Sequence, residues 1–207
     1  MTAPSAILYF DSETGGLPRH DLPLDHANQP QIVQLAAILE VDAVERGSFS
    51  VIVDQEGRAI PPEVARVHGI DDTIAARCGI AIEAALGMWL RLARRAELLV
   101  GHNVAFDVEI IRLAFAALGK PAVLAEIAAM PAACTKDMAE PILRLPPTER
   151  MRATGFGHKF KAPNLRECIA HFFGEELDGA HNALVDVRAC RRVYRHIISL
   201  PAMEPAA

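Results

Sequence analysis

"AILYFDSETGGLP", residues 6–18, sets an apolar run against two carboxylates placed one residue apart. A short buried strand over residues 5–10 is predicted, ending directly on Asp11 and Glu13. Residues two apart on a strand share a face, so Asp11 and Glu13 project together while Ser12 turns to the opposite side. Two like charges on one face repel unless a cation sits between them. A lone D-x-E is more often a strand end in solvent, so the pair needs further acids before it implies a metal.

Working outward, "QIVQLAAILEVD" (31–42) reads as a second strand and "SFSVIVDQ" (48–55) as a third, with "VERGS" as the turn between them. Three strands joined by short connections predict an antiparallel meander. The joint between the first two, "LPRHDLPLDHANQP", is long, polar and rich in proline, as expected of a surface loop beside the acids. Pro61-Pro62 start a helix that Gly69 stops. A long helical pattern covers 80–96, "ELLVG" is another strand, and 104–118 another helix closed by "GKP". "MPAACTK" supplies the fifth strand, 145–164 reads as a loop, Asn164 caps a helix over 165–173, and a last helix covers 182–199. The order predicts an α/β fold around one mixed five-stranded sheet, a three-strand antiparallel meander plus parallel strands, flanked by helices.

The 207 residues suit a single domain, with a core over 5–199 and a disordered tail over 200–207. A net charge of −5 argues against a protein that coats duplex nucleic acid through a broad basic surface. No long uncharged apolar run and no basic-then-apolar leader is present, so a cytoplasmic location with no membrane contact is expected. Cys78, Cys134, Cys168 and Cys190 are too scattered for a zinc knuckle or a disulfide framework.

Further acids do appear. In "GHNVAFDVEIIRLAF" (101–115) a strand ends at Gly101 and a helix begins near Val104, which puts Asp107 in its first turn. In "GAHNALVDVRACRRVY" (179–194) Asp186 lies one turn into the last helix. His181 precedes it by five residues, a rotation of roughly 140° on a continuous helix. His181 therefore belongs at the mouth of the site, where it suits a general base, rather than among the ligands. Asp11, Glu13, Asp107 and Asp186 offer hard oxygen donors, which favour Mg²⁺ or Mn²⁺ over zinc, and two divalent cations would offset four carboxylates.

"DSE", "NVAFD" and "HNALVD", in this order, resemble the three motifs of the DnaQ-like (DEDDh) 3′-5′ exonucleases, the family of the proofreading epsilon subunit of bacterial DNA polymerase III. The resemblance runs over about residues 5–195 and implies a ribonuclease H-like fold. It implies that Asp11, Glu13, Asp107 and Asp186 hold two metal ions and that His181 takes a proton from the attacking water. With an unperturbed pKa of ~6.5, histidine can do so near neutrality. "VHGI" (67–70) resembles the segment lining the nucleotide site of proofreading enzymes. On that likeness Thr14 and Gly15 meet the terminal nucleotide through backbone groups, Glu63 and His68 lie near its sugar, and Asn103 and Phe106 help hold the strand. Gly15 stands where the family often has threonine, and the 18–30 loop exceeds the usual connection.

The implied activity is release of nucleoside 5′-monophosphates, one at a time, from the 3′ ends of single-stranded DNA, in proofreading, repair or trimming. An exoribonuclease acting on RNA or short oligonucleotides is the alternative, since the same acids serve both, and "VHGI" tilts the choice to DNA. A non-catalytic nucleic-acid-binding or polymerase-accessory module is the third reading, opposed by the presence of all five catalytic residue types. The chain stops soon after the last helix, without the extended tail of the replicative proofreading subunit, so a free-standing or differently recruited enzyme is expected, with a DNA polymerase as the protein partner to consider. Residues 144–161 interleave Arg150, Arg152, Lys159 and Lys161 with Phe156 and Phe160. Such a segment can track phosphates and stack bases, or be a solvated loop whose phenylalanines tuck into the core; both readings stand.

Overall fold

The computed structural model describes residues 4–201. Strands β1 (Ala6–Thr14), β2 (Ile32–Val41), β3 (Val44–Ile52), β4 (Leu98–Gly101) and β5 (Ala132–Cys134) form one sheet in the order β3-β2-β1-β4-β5. β1 pairs antiparallel with β2 and β2 with β3, whereas β4 runs parallel to β1 and β5 parallel to β4. This is the expected mixed sheet. Helices α1 (Pro62–His68), α2 (Asp72–Cys78), α3 (Ile82–Ala93), α4 (Val104–Ala117), α5 (Pro121–Ala128), α6 (Thr135–Leu143), α7 (Glu149–Ala153), α8 (Leu165–Phe173) and α9 (Ala183–Ser199) complete it.

Residues 6–10 of β1 are apolar without interruption because both faces of the strand are covered there. Leu8 and Phe10 join Trp89 of α3 and Ile110 of α4 in one core, and Phe10 meets the Trp89 ring edge-on at 5.3 Å. Ile7 and Tyr9 face the other way, against Val187, Cys190 and Val193 of α9. The strand runs on to Thr14, so Asp11 and Glu13 lie within it, held by pairing to Ala36 and Gln34. Register slips between Glu13 and Thr14, where Val33 has no partner, and this bulge turns the chain away just past the acids.

Several boundaries differ from expectation. The β2–β3 turn is Asp42-Ala43, both with positive φ (51° and 66°), the two-residue geometry whose twist matches antiparallel strands. "VERGS" is therefore strand, and β3 ends at Ile52. Of the 80–96 pattern, only Ile82–Ala93 is helix. Four short helices were not expected: α2, capped by Asp71; α5; α6, which carries Pro141; and α7, capped by Thr148 inside the stretch read as loop. α8 is closed at its start by a capping box between Asn164 and Glu167.

Two buried polar residues of β2 pin α9 to the sheet. The Ala183 N–H, at the start of the helix, donates to Gln34 Oε1 at 3.0 Å. Farther along, Arg191 and Arg195 pair with the buried Glu40 carboxylate at 2.6 and 3.2 Å, which compensates its removal from water. Of the tail expectation, 202–207 lie outside the described residues. Among the described residues no helix is long and apolar enough to cross a membrane.

Candidate active site

A cleft of about 470 Å³ opens at the C-terminal end of β1, lined by Asp11, Glu13, Asp107, His181 and Asp186 together with residues of α1 and of the turn after β1. Three elements deliver the acids. β1 places Asp11 and Glu13 on the α9 side, α9 brings Asp186 from its first turn, and α4 brings Asp107, which is only 3% exposed.

Ser12 does point to the opposite face, and there it meets Asp107. Its N–H and its hydroxyl both donate to Asp107 Oδ1, at 3.0 and 2.7 Å, which leaves Oδ2 as the oxygen free to face the cleft. Asp186 Oδ2 accepts the His181 N–H at 3.0 Å, while its Oδ1 is buried without a partner. His181 lies before the helix with φ 69°, an exposed residue in left-handed conformation. One ligand-capable atom from each of Glu13, His181 and Asp186 falls within 4.8 Å of the others.

The electrostatics are those of crowded acids. Burial above all, and then Asp107, Asp186 and Glu13, hold Asp11 well above the usual carboxylate range. Burial, then Asp186 and Asp107, push Glu13 up to about 7. Asp107 is likewise raised to about 7 by burial, against the two Ser12 hydrogen bonds that favour its ionised form. Burial raises Asp186 also, with the His181 N–H acting in the opposite sense. No Lys or Arg lines the cleft among the described residues, so the chain itself does not neutralise these acids there. A set of four hard oxygen donors with an orphaned buried lone pair on Asp186 fits divalent cations.

The remaining predicted contacts are placed unevenly. Thr14, His68, Asn103 and Phe106 line the cleft, whereas Glu63 and Gly15 do not. The Gly15 N–H is committed to Gln31 O at 2.9 Å, and the Thr14 hydroxyl donates to Gly16 O at 2.7 Å. Glu63 is exposed on the first turn of α1. His68 accepts the Ile70 N–H on Nδ1, so its ring proton sits on Nε2, which is buried and unpaired; burial, then His181, lower its pKa and keep the ring neutral. Asn103 takes the left-handed start of α4 (φ 79°), and its Oδ1 accepts from Lys136 Nζ.

Lys161 is not free: it pairs with Glu167, and a bridge to Leu145 closes the 145–161 segment at its base. Arg150, Arg152 and Lys159 are exposed. His102 also lines the cleft and ties Thr135 and Pro163 to it. Pro163 O can only accept, so Nε2–H donates to it at 3.1 Å and Nδ1 accepts the Thr135 hydroxyl at 2.9 Å. Burial lowers this histidine to about 4. Ser12 and His102 were not singled out for these roles. The strand alternation carried the signal for Ser12, since it already turned that side chain towards the α4 face.

No curated protein matches the chain. Among solved structures, exonuclease I, whose structure is described as suggesting how processivity is achieved, gives a TM-score of 0.68 at 20% identity over 93% of this chain and 40% of that one. Escherichia coli exonuclease I in complex with a dT13 oligonucleotide gives 0.67 at 20% identity, covering 94% and 40%, and product-bound exonuclease I gives 0.67 at 20%, covering 94% and 43%. The chain thus spans about two fifths of the length of these structures, and the likeness establishes a shared ribonuclease H-like fold. The family model described as exonuclease, of the RNase T type, matches residues 8–194. By that match over nearly its whole length, the chain belongs to the DnaQ-like exonuclease family.

Proposed function

We propose that the chain is a metal-dependent 3′-5′ exonuclease that removes nucleoside 5′-monophosphates from single-stranded DNA. The observation that carries the reading is the convergence of Asp11, Glu13, Asp107 and Asp186 on one cleft that no Lys or Arg among the described residues lines. Four carboxylates raised by burial and mutual repulsion are a costly arrangement unless divalent cations, Mg²⁺ or Mn²⁺, are held there. Such ions supply positive charge to offset that developing on a phosphodiester under attack.

The chain's own residues do the rest. Ser12 fixes Asp107 by two donors, and the His181 main chain fixes Asp186, so the acids are oriented before substrate arrives. The His181 ring at the mouth accepts a proton from the attacking water. Phe106 and Leu17 give the cleft an apolar wall, with His68 beside them. The preference for DNA is supported by the likeness of "VHGI" to the nucleotide-site segment of proofreading exonucleases and by the DNA oligonucleotides bound in the exonuclease I structures.

Digestion of 5′-labelled and 3′-labelled DNA and RNA oligonucleotides with Mg²⁺, Mn²⁺ or EDTA tests the proposal. A ladder shortening from the 3′ end of DNA, abolished by EDTA, is expected; faster loss of RNA would transfer the assignment to an exoribonuclease. Ser12→Ala removes one of the two bonds on Asp107 Oδ1. It is expected to weaken Mn²⁺ binding about 10- to 100-fold by calorimetry, the range seen when a group orienting a metal ligand is lost.

A further inference from the structure

We propose that residues 145–160 form an arm that binds the single strand behind its 3′ end, an inference that rests on the exonuclease reading. Phe156 and Phe160 are 49% and 45% exposed, so neither is tucked into the core. Lys159 Nζ lies 5.4 Å from the Phe156 ring centroid, a cation on one ring face that leaves the other open. Arg150 and Arg152 are exposed on α7, beside a single acid, Glu149. On a chain of net charge −5 this is a local reversal of sign, and it coincides with two exposed rings.

The arm has a built root. The Leu145–Lys161 bridge closes it, Lys161 is clamped to Glu167, and Glu167 also receives the Asn164 N–H at 2.8 Å in the α8 capping box. Two residues past Lys161, buried Pro163 accepts from His102, which lines the catalytic cleft. The tip is shaped by Phe156 N–H donating to Met151 O at 2.8 Å and by Gly155 at φ 85°, where a side chain would be strained. The segment is thus anchored at the edge of the site and projects rings and cations outward. Stacking surfaces with interspersed cations fit a single strand of any sequence, because every base has a π-face and every link a phosphate.

The test compares wild type, Phe156→Ala/Phe160→Ala and Arg150→Gln/Arg152→Gln on dT16 and on a thymidine dinucleotide. All four residues are exposed, so the melting temperature should not change. The phenylalanine pair should raise KM for dT16, and its Kd in EDTA by anisotropy, about 5- to 100-fold. Neither kcat nor the constants for the dinucleotide should move. The arginine pair should reduce the slope of log K against log salt by about 1.4, at ~0.7 per phosphate contact. Unchanged dT16 binding in both variants, or equal losses on the two substrates, overturns the arm. The readings separate cleanly. A wild type that binds dT16 through the arm but never cleaves it refutes the exonuclease and not the arm, whereas normal cleavage with arm-independent binding does the reverse.

Discussion

His181→Ala is expected to lower turnover on single-stranded DNA about 10²- to 10⁴-fold, the usual contribution of a positioned general base, while Mn²⁺ affinity changes little. The separation follows from the geometry. It is the His181 main-chain N–H that holds Asp186 Oδ2, and alanine keeps that donor, so only the ring is lost. Because His181 sits at φ 69°, alanine also introduces modest backbone strain. His181→Asn, which tolerates the left-handed region and is a poor base, is the control and should lose as much. If the His181 ring were instead a ligand beside Glu13 and Asp186, calorimetry would show Mn²⁺ affinity collapsing with activity.

Asp107→Asn should have effects of opposite sign on stability and on activity. In the metal-free protein burial holds Glu13 and Asp107 near 7, far above ordinary carboxyls. Between about pH 4 and pH 7 the folded state therefore keeps protons that the unfolded chain has released, and stability falls as pH rises through that window. The penalty is absent below it and complete above it. Asparagine keeps the acceptor for both Ser12 donors but removes the charge, relieving a cost on the order of 4 kcal/mol. In EDTA at pH 8 the variant should melt about 8–16 °C above wild type, and at pH 4 at nearly the same temperature. Mg²⁺-dependent cleavage should be lost, and Mg²⁺ is expected to stabilise wild type but not the variant. A variant less stable than wild type in EDTA at pH 8 would show that the acids do not repel one another as the geometry requires.

What could be read from sequence divides along a physical line. The sheet was legible because β1 and β2 are buried on both sides and alternate or run on accordingly. α1, α8 and α9 were legible because their ends carry strong punctuation in Pro61-Pro62 and Gly69, Asn164, and the residues before Ala183. The missed helices are short, and α6 contains a proline that argues locally against a helix. The Asp42-Ala43 turn has no glycine to mark it. In the site, the acids and His181 follow from spacing and strand parity, because each is set by its own element. The groups that orient them do not: Ser12 reaches Asp107 across 95 residues and His102 reaches Pro163 across 61, and no local period encodes such meetings. The basic stretch was ambiguous for a related reason, since only packing decides whether Phe156 and Phe160 turn inward.

The bond from Ala183 N–H to Gln34 Oε1 joins residues 149 apart and has a consequence in time. During synthesis β1, β2 and β3 can pair early, presenting Asp11 and Glu13, while Asp186 is still unmade. At about 5–20 residues per second α9 follows roughly 7–30 s later. Until it docks on Gln34 and Glu40, the chain holds only part of the acid cluster. A growing or prematurely ended chain is therefore expected not to cleave nucleic acid, and competence for cleavage arrives with the last helix.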